Sequence, residues 1–395
     1  MPRYDLADEY FNRAYETVVG TERETMPVLY GLFCRKPGVM AGVKDVADFL
    51  NGQCAGPITV RALPDGKSFE ANQIVMTLEG PFGQLVTMET TCLGLLSLSA
   101  GAANMAAVTK AAGDIPVIDM AARHYPPELV EAIALAAAIG GAAGTSTPAG
   151  HSVVQERFGI GDGRIQVGQQ SPRSFNLYGT IPHALNAIYE GSSIESAAAF
   201  HERCPDVPLT VLLDFEGREK EVCSDAARRF SYELHAVRLD TPANRVFEGG
   251  HDRVPRALEM RVLSQAPDRA AALAALDKYG AGPGVTIEAV YAIRDLLDSM
   301  GSRSTKIVVS SGFDLGKVRA FRAACAPMDS IGTGSWVGFS AFTADILKVF
   351  ENDQWGDRCK AGRRAELIDL PDLPVILAKE YQAPSPSPDP SQPGS

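Results

Sequence analysis

The 395-residue chain lacks most of the signals that would classify it at once. No Cys-x-x-Cys pair occurs, and its seven cysteines stand singly at Cys34, Cys54, Cys92, Cys204, Cys223, Cys325 and Cys359. An odd set of scattered thiols is neither a disulfide framework nor a structural zinc site, and it fits a reduced, cytoplasmic setting. No run of five basic residues occurs, and 37 Lys/Arg against 48 Asp/Glu leave a net charge of −11. A broad nucleic-acid surface is therefore not expected. An anionic ligand must be caught locally, by a few arginines, by backbone N–H groups at a helix start or by a metal ion.

No stretch of 18 apolar residues is present; the longest candidate, Leu93 to Val108, is broken by glycines and Asn104. The amino terminus carries charges where a signal peptide needs an apolar core, so no membrane association is expected. The Walker pattern, G-x-G-x-x-G, the G-x-S-x-G elbow and H-x-x-x-H are also missing. Nucleotide binding of those kinds, triad hydrolysis and zinc catalysis lose ground accordingly. What remains is ordinary globular composition, 45% hydrophobic and 22% charged, with a length that suits two to three domains at about 150 residues each.

Residues 1 to about 110 mix helical and extended patterns. Asp8 to Val19 reads as a helix, and Ile58–Ala62 and Gln73–Leu78 read as strands separated by Gly, Pro and Asp. Glu89 to Ala107 reads as one long apolar helix rich in small residues. From about residue 114 the chain turns to short apolar strands, each followed by a helical stretch: Ile115–Asp119, Leu209–Asp214, Ala236–Asp240, Lys306–Ser310 and Asp329–Gly332. That alternation describes a parallel α/β barrel or a doubly wound sheet. In either, ligands gather at the carboxyl ends of the strands, where Asp119, Asp214, Asp240, Ser311 and Gly332 fall. The last fourteen residues, with five Pro and four Ser, read as a flexible tail.

Several local patterns suit an anion. Ser310-Ser311-Gly312 and Gly332-Thr333-Gly334-Ser335 are glycine-bearing turns after successive strands, either phosphate cradles or ordinary loops. Arg238 and Asp240 lie on one side of a strand, as a ligand-binding pair or as a structural ion pair. Arg123 and His124 precede a helix start whose positive end favours an anion. Gly140 to Ser146 reads as a glycine-rich loop whose hydroxyls touch a substrate or cap the next element. His183 stands where a loop gives way to an apolar helix, a position that a surface or core histidine fills equally well.

In their order, these pieces resemble the nicotinate phosphoribosyltransferase family, especially its shorter archaeal-type branch, and more distantly quinolinate phosphoribosyltransferase. The likeness runs from about Asp8 to Arg364. It is carried by Asp8-Glu-Tyr10-Phe-Asn-Arg13, Glu89–Ser97, Asp119 with Arg123, Gly144-Thr145-Ser146, Gly179–Leu185, Val237–Asp240, Ser311–Asp314 and Gly332–Ser335.

The resemblance implies an irregular parallel α/β barrel with an additional α/β amino-terminal domain. Expected boundaries are 1–111 for that domain, 112–344 for the barrel, 345–381 for a segment packing on the first domain and 382–395 for the tail. It implies a homodimer or higher homo-oligomer in which Tyr10 reaches the partner's site. Arg238, Asp240 and Asp214 would face the ribose and substrate, and His183 the pyrophosphate, with phosphorylation of His183 in ATP-coupled members. Met120, Arg123, His124, Thr145 and Ser146 would meet the base. Ser311, Gly312, Gly332, Thr333, Gly334, Ser335, Lys360 and Arg363 would hold the phosphate. The implied substrates are phosphoribosyl pyrophosphate and a heteroaromatic acid, with Mg²⁺ and, where coupled, ATP.

The chain departs from the family's Asp-Phe-Gly-x-Arg-Arg pattern at Met120, Ala121 and His124, and Thr147 replaces an expected Asn. Transfer to nicotinate in NAD synthesis is the leading expectation. A paralogue using another heteroaromatic acid, or a non-catalytic metabolite-binding paralogue, are the alternatives. A quinolinate-type decarboxylating enzyme is disfavoured because no basic cluster for two carboxylates is evident.

Overall fold

The computed structural model describes residues 4–370 and 372–380. The expected tail from Gln382 lies outside them. The chain forms two compact units, one made of the residues up to Ala100 together with those from Phe339 onward, the other spanning Gly101–Gly338.

The first unit is built on a six-stranded antiparallel sheet. Its strand order is Gln354–Asp357, Phe342–Glu351, Pro27–Cys34, Ile74–Pro81, Ile58–Ala62 and Val375–Lys379, so strands from both chain ends share one sheet. The helix Val43–Gln53 buries Val43, Val46 and Leu50, an i, i+3, i+7 stripe, in the core that the central strands form. It starts at Gly42, with φ of 91°, where a Cβ would lie 2.1 Å from the Leu95 carbonyl oxygen. Only glycine fits there.

The single helix expected over Glu89–Ala107 is two helices, Glu89–Leu95 and Ser99–Ala112. Tight i→i−3 bonds from Ser97 and Ser99 to Gly94 and Leu96 break it, and Ser99 Oγ is drawn off to accept from the Ala41 N–H. By length and composition, Glu89–Ala112 would suffice to cross a membrane, although 44% of its most apolar window is buried.

The second unit carries a seven-stranded, wholly parallel sheet. In chain order its strands are β1 (Val117–Asp119), β2 (Gly144–Thr145), β3 (Asn176–Leu177), β4 (Leu209–Leu212), β5 (Leu234–Leu239), β6 (Lys306–Val309) and β7 (Ser330–Thr333). The spatial order is β3-β2-β1-β7-β6-β5-β4. The sheet is a half-barrel: among the described residues β3 and β4 are not paired with each other. Strands such as Leu209–Leu212, buried at every position, read as continuous apolar runs because helices cover the outer face. Within the expected glycine-rich loop Gly140–Ser146, Gly144 and Thr145 form β2 and pair with β1 and β3, while the other five residues are turn or coil.

Candidate active site

The carboxyl ends of these strands open into a cleft of about 1260 Å³ lined by residues that include Met120, Arg123, Ser146, Tyr178, His183, Arg238 and Asp240. The cleft also reaches residues at the amino ends of the strands, such as Pro116, Pro208, His235, Lys306 and Ser330. A closed barrel fills its interior with layers of bulky side chains. Here Thr210, Ala236 and Ser330 line the cleft beside the branched Ile118 and Val308.

At the carboxyl end of β5, Arg238 Nη2 donates to Asp240 Oδ2 at 2.9 Å, and its Nε donates to Ser310 Oγ at 2.9 Å. Ser310 Oγ in turn donates to Asp240 Oδ1 at 2.7 Å. Both charged side chains are largely buried, 15% and 13% exposed. The guanidinium is thus fixed edge-on by two bonds, with Nη1 left toward Thr180 at 3.5 Å. Beyond β4, the largely buried Asp214 faces His183 Nε2 at 3.1 Å. Burial pushes the Asp214 carboxyl above the usual range, the His183 contact draws it back, and Asp240 adds to the rise. Asp214 Oδ1 is buried without a partner.

Two left-handed residues in succession, Ser311 (φ 72°) and Gly312 (φ 71°), turn the chain out of β6. The helix Leu315–Ala323 follows, capped by the Asp314 carboxylate on the Lys317 N–H at 2.8 Å. Lys317 Nζ returns to the Ser311 carbonyl at 3.1 Å and lies 4.5 Å from the Phe313 ring centroid. Burial pushes this amine down to about 8, against the pull of Asp314 and Asp240.

After β7, Thr333 Oγ1 donates to the Phe313 carbonyl and accepts from the Ser335 N–H, tying the two turns together. Gly334 allows close approach, because a Cβ there would lie 2.8 Å from His124 Nδ1.

A second hydrogen-bonded cluster is organised by buried Asp119. It accepts from the Ala121 N–H (3.0 Å), Thr145 Oγ1 (2.9 Å) and Trp336 Nε1 (3.1 Å). Burial raises its carboxyl, and those three donors and His124 oppose the rise. Asp119 therefore positions the ends of β1, β2 and β7 together.

Most of the residues expected at the site share this unit. Met120, Arg123 and Ser146 line the cleft with His183, Arg238 and Asp240. Thr145 faces Asp119 instead, and His124 lies against the Gly334 turn. Three expected residues belong to the other unit. Tyr10 stands 62% exposed on the helix Glu9–Val18, and Lys360 is exposed. Arg363 lies over the Phe33 ring, its Nε 2.8 Å from Asp345 Oδ2 without hydrogen-bond geometry, while its Nη1 donates to Glu366 Oε2 at 3.3 Å.

Sequence reasoning named Ser310 only as part of a glycine-bearing turn, not as the tie between Arg238 and Asp240. It missed Lys317, Trp336 and Tyr178, which carried no signal that a single chain displays.

Residues 8–99 match the family of the quinolinate phosphoribosyl transferase N-terminal domain. Nicotinate phosphoribosyltransferase pncB1 of Mycobacterium tuberculosis is 26% identical over 298 residues, 73% of this chain and 52% of that protein. The chain thus spans about half the length of the curated relative it matches. The structure of nicotinate-nucleotide pyrophosphorylase from Pyrococcus furiosus matches with a TM-score of 0.68 at 26% identity, over 90% of this chain and 77% of that one. Human Nicotinic Acid Phosphoribosyltransferase shares the fold, with a TM-score of 0.53 at 16% identity over 91% of this chain and 76% of its own. The amino-terminal match, the sequence kinship and the parallel half-barrel agree: the chain has the fold of the type II phosphoribosyltransferases and resembles them in sequence.

Proposed function

We propose that the chain joins nicotinate to the ribose 5-phosphate of phosphoribosyl pyrophosphate, giving nicotinate mononucleotide and pyrophosphate for NAD synthesis. One observation carries the reading. The Arg238–Asp240 pair, pinned by Ser310, lines a cleft that also bears Arg123 and Ser146 for an acid, and the turn after Ser310 leaves open space at Gly312 for a phosphate.

In this reaction the C1–O bond breaks and pyrophosphate leaves with the electron pair. The lone pair of the ring nitrogen forms the C1–N bond. That nitrogen carries no proton, so the product is a pyridinium and no general base is required. Positioning and electrostatics suffice. Asp240 and Asp214 face the positive charge that develops on the sugar; Arg238 and His183 face the leaving anion.

The donor set fits Mg²⁺ brought in on substrate phosphates. Asp214 Oδ1 is buried without a partner, and Asp240 follows the neighbouring strand. No group of three ligating side chains occurs among the described residues, as suits an ion that takes one or two carboxylates and keeps substrate and water oxygens. Bound there, it would neutralise the leaving pyrophosphate. ATP coupling through His183, a cytoplasmic location and a homodimer or higher homo-oligomer completed by Tyr10 belong to the same proposal.

Pyrophosphate release from phosphoribosyl pyrophosphate and Mg²⁺ tests it, with nicotinate, nicotinamide, quinolinate and other heteroaromatic acids, each with and without ATP. Turnover of nicotinate above the others is expected. Silence across the panel overturns it, and tight binding without turnover would indicate a non-catalytic binder. Transfer to a different heteroaromatic acid is the second reading, favoured by the thioether of Met120 where the family places an aromatic ring; nicotinate ranking poorly would establish it.

A further inference from the structure

Gly144 on β2 and Gly332 on β7 are the register partners of Ile118 on either side of β1. Each glycine is roofed by one large side chain. At Gly144 a Cβ would lie 2.6 and 2.8 Å from the Tyr178 ring, and at Gly332 it would lie 2.5 Å from Met120 Sδ and Cε. Two strand spacings, roughly 9–10 Å, separate the glycines. Tyr178 and Met120 are therefore the walls of a trough floored by Ile118, and all three line the cleft.

The next row outward completes it. Asp119 and Leu177 both pair with Thr145, so Met120, Ser146 and Tyr178 follow at one level. A planar ring between two walls needs about 3.5–4 Å to carbon on each side, less in total than the roughly 9–10 Å between the two glycines. An aromatic wall favours it stacked or edge-on, and a thioether also favours aromatic neighbours. Arg123, on the same cleft, has no acidic partner among the described residues and suits one carboxylate.

We infer that Tyr178 is the specificity-determining aromatic wall of a slot for a planar heteroaromatic acid, with the Met120 thioether opposite it. Tyr178 thereby supplies from the end of β3 the ring contact that position 120 lacks. The inference rests on the proposed transfer only in taking the bound ring as the phosphoribosyl acceptor.

The test uses the full chain with Tyr178→Ala, Tyr178→Leu and Tyr178→Phe. In steady-state pyrophosphate release, Tyr178→Ala and Tyr178→Leu are expected to raise KM for nicotinate tenfold or more. KM for phosphoribosyl pyrophosphate should stay within twofold, and Tyr178→Phe should match the native chain on both. Calorimetry should show nicotinate binding at least tenfold tighter than saturated nipecotate, a preference lost in Tyr178→Ala and Tyr178→Leu and kept in Tyr178→Phe.

An unchanged nicotinate KM, a parallel rise in both KM values, or Tyr178→Phe as impaired as Tyr178→Leu overturns the slot. If turnover is absent while the planar preference depends on Tyr178, the transferase reading falls and the slot stands. If turnover is present without that preference, the slot falls alone.

Discussion

His183 Nε2 lies 3.1 Å from Asp214 Oδ2 across 31 residues of sequence, with the imidazole 44% exposed and the carboxylate 4% exposed. A buried acid thus orients a histidine whose ring still reaches solvent and the cleft. Under the proposed reaction, removing the imidazole would delete a charge-assisted contact to the leaving anion, worth about 1.5–3 kcal/mol. His183→Ala should lower kcat/KM about 10- to 100-fold and abolish stimulation by ATP. Stimulation that persists in this variant would end the coupling proposal.

The same pair sets an acid limb. Burial holds the Asp214 proton on to a higher pH than an ordinary aspartate. Its contribution to stability is therefore greatest below the unfolded pKa and is lost as pH rises through the folded one. Asp214→Asn should leave stability at pH 7 unchanged or higher, and should flatten the acid limb of the kcat/KM profile. An acid limb identical to the native one would assign that titration to another group.

Arg238 and Asp240 are an interdependent unit. Loss of one partner leaves the other buried charge uncompensated, at about 3–5 kcal/mol for a buried pair. Arg238→Met should lower the urea midpoint clearly, whereas Arg238→Met/Asp240→Asn should recover part of the loss while activity stays at least about 100-fold down, as for a lost transition-state donor. Additive stability losses in the double variant would show that the pair is not coupled.

How much of this was legible in the sequence follows from element length. β1, β4, β5, β6 and β7 announced themselves as apolar runs, and Asp119, Asp214, Asp240 and Ser311 fall at or just past their carboxyl ends, Asp240 alone of the four lining the cleft. β2 and β3, two residues each, are too short to show any period. Tyr178 follows β3 and was therefore invisible as a wall residue. Lys317 acts through its burial and Trp336 through Asp119, 217 residues away, neither of which a local pattern encodes.

Lys317 carries an unfavourable charge in the fold. Its amine is pushed down to about 8, while an unfolded chain keeps that proton to about 10.4. Between these values the unfolded state binds more protons, so stability from this group rises with pH and its full cost falls below 8. Lys317→Met should be more stable than the native chain at pH 7, by about 1–3 kcal/mol, with the difference vanishing near pH 10.5. The Ser311 carbonyl loses its tether in this variant, so KM for phosphoribosyl pyrophosphate should rise several-fold. Equal urea midpoints at pH 7 and an unchanged KM would refute both halves.

The two glycines beside Ile118 differ in what blocks them. At Gly144 a Cβ would meet the Asn176 carbonyl oxygen at 2.0 Å, which belongs to the backbone of β3 and moves only if that strand moves. At Gly332 it would meet the end of the Met120 side chain, a flexible group that can swing away. Gly144→Ala should therefore cost the 1–3 kcal/mol typical of overpacking, about that or more. Gly332→Ala should cost less, yet displace the thioether into the slot and raise KM for the acid. Shortening that side chain removes the obstacle, so Met120→Ala should cost less in the Gly332→Ala background than in the native one. Urea midpoints of the four variants decide it: equal losses at the two glycines, or strict additivity between Met120→Ala and Gly332→Ala, would show that Met120 does not rest on Gly332 in solution.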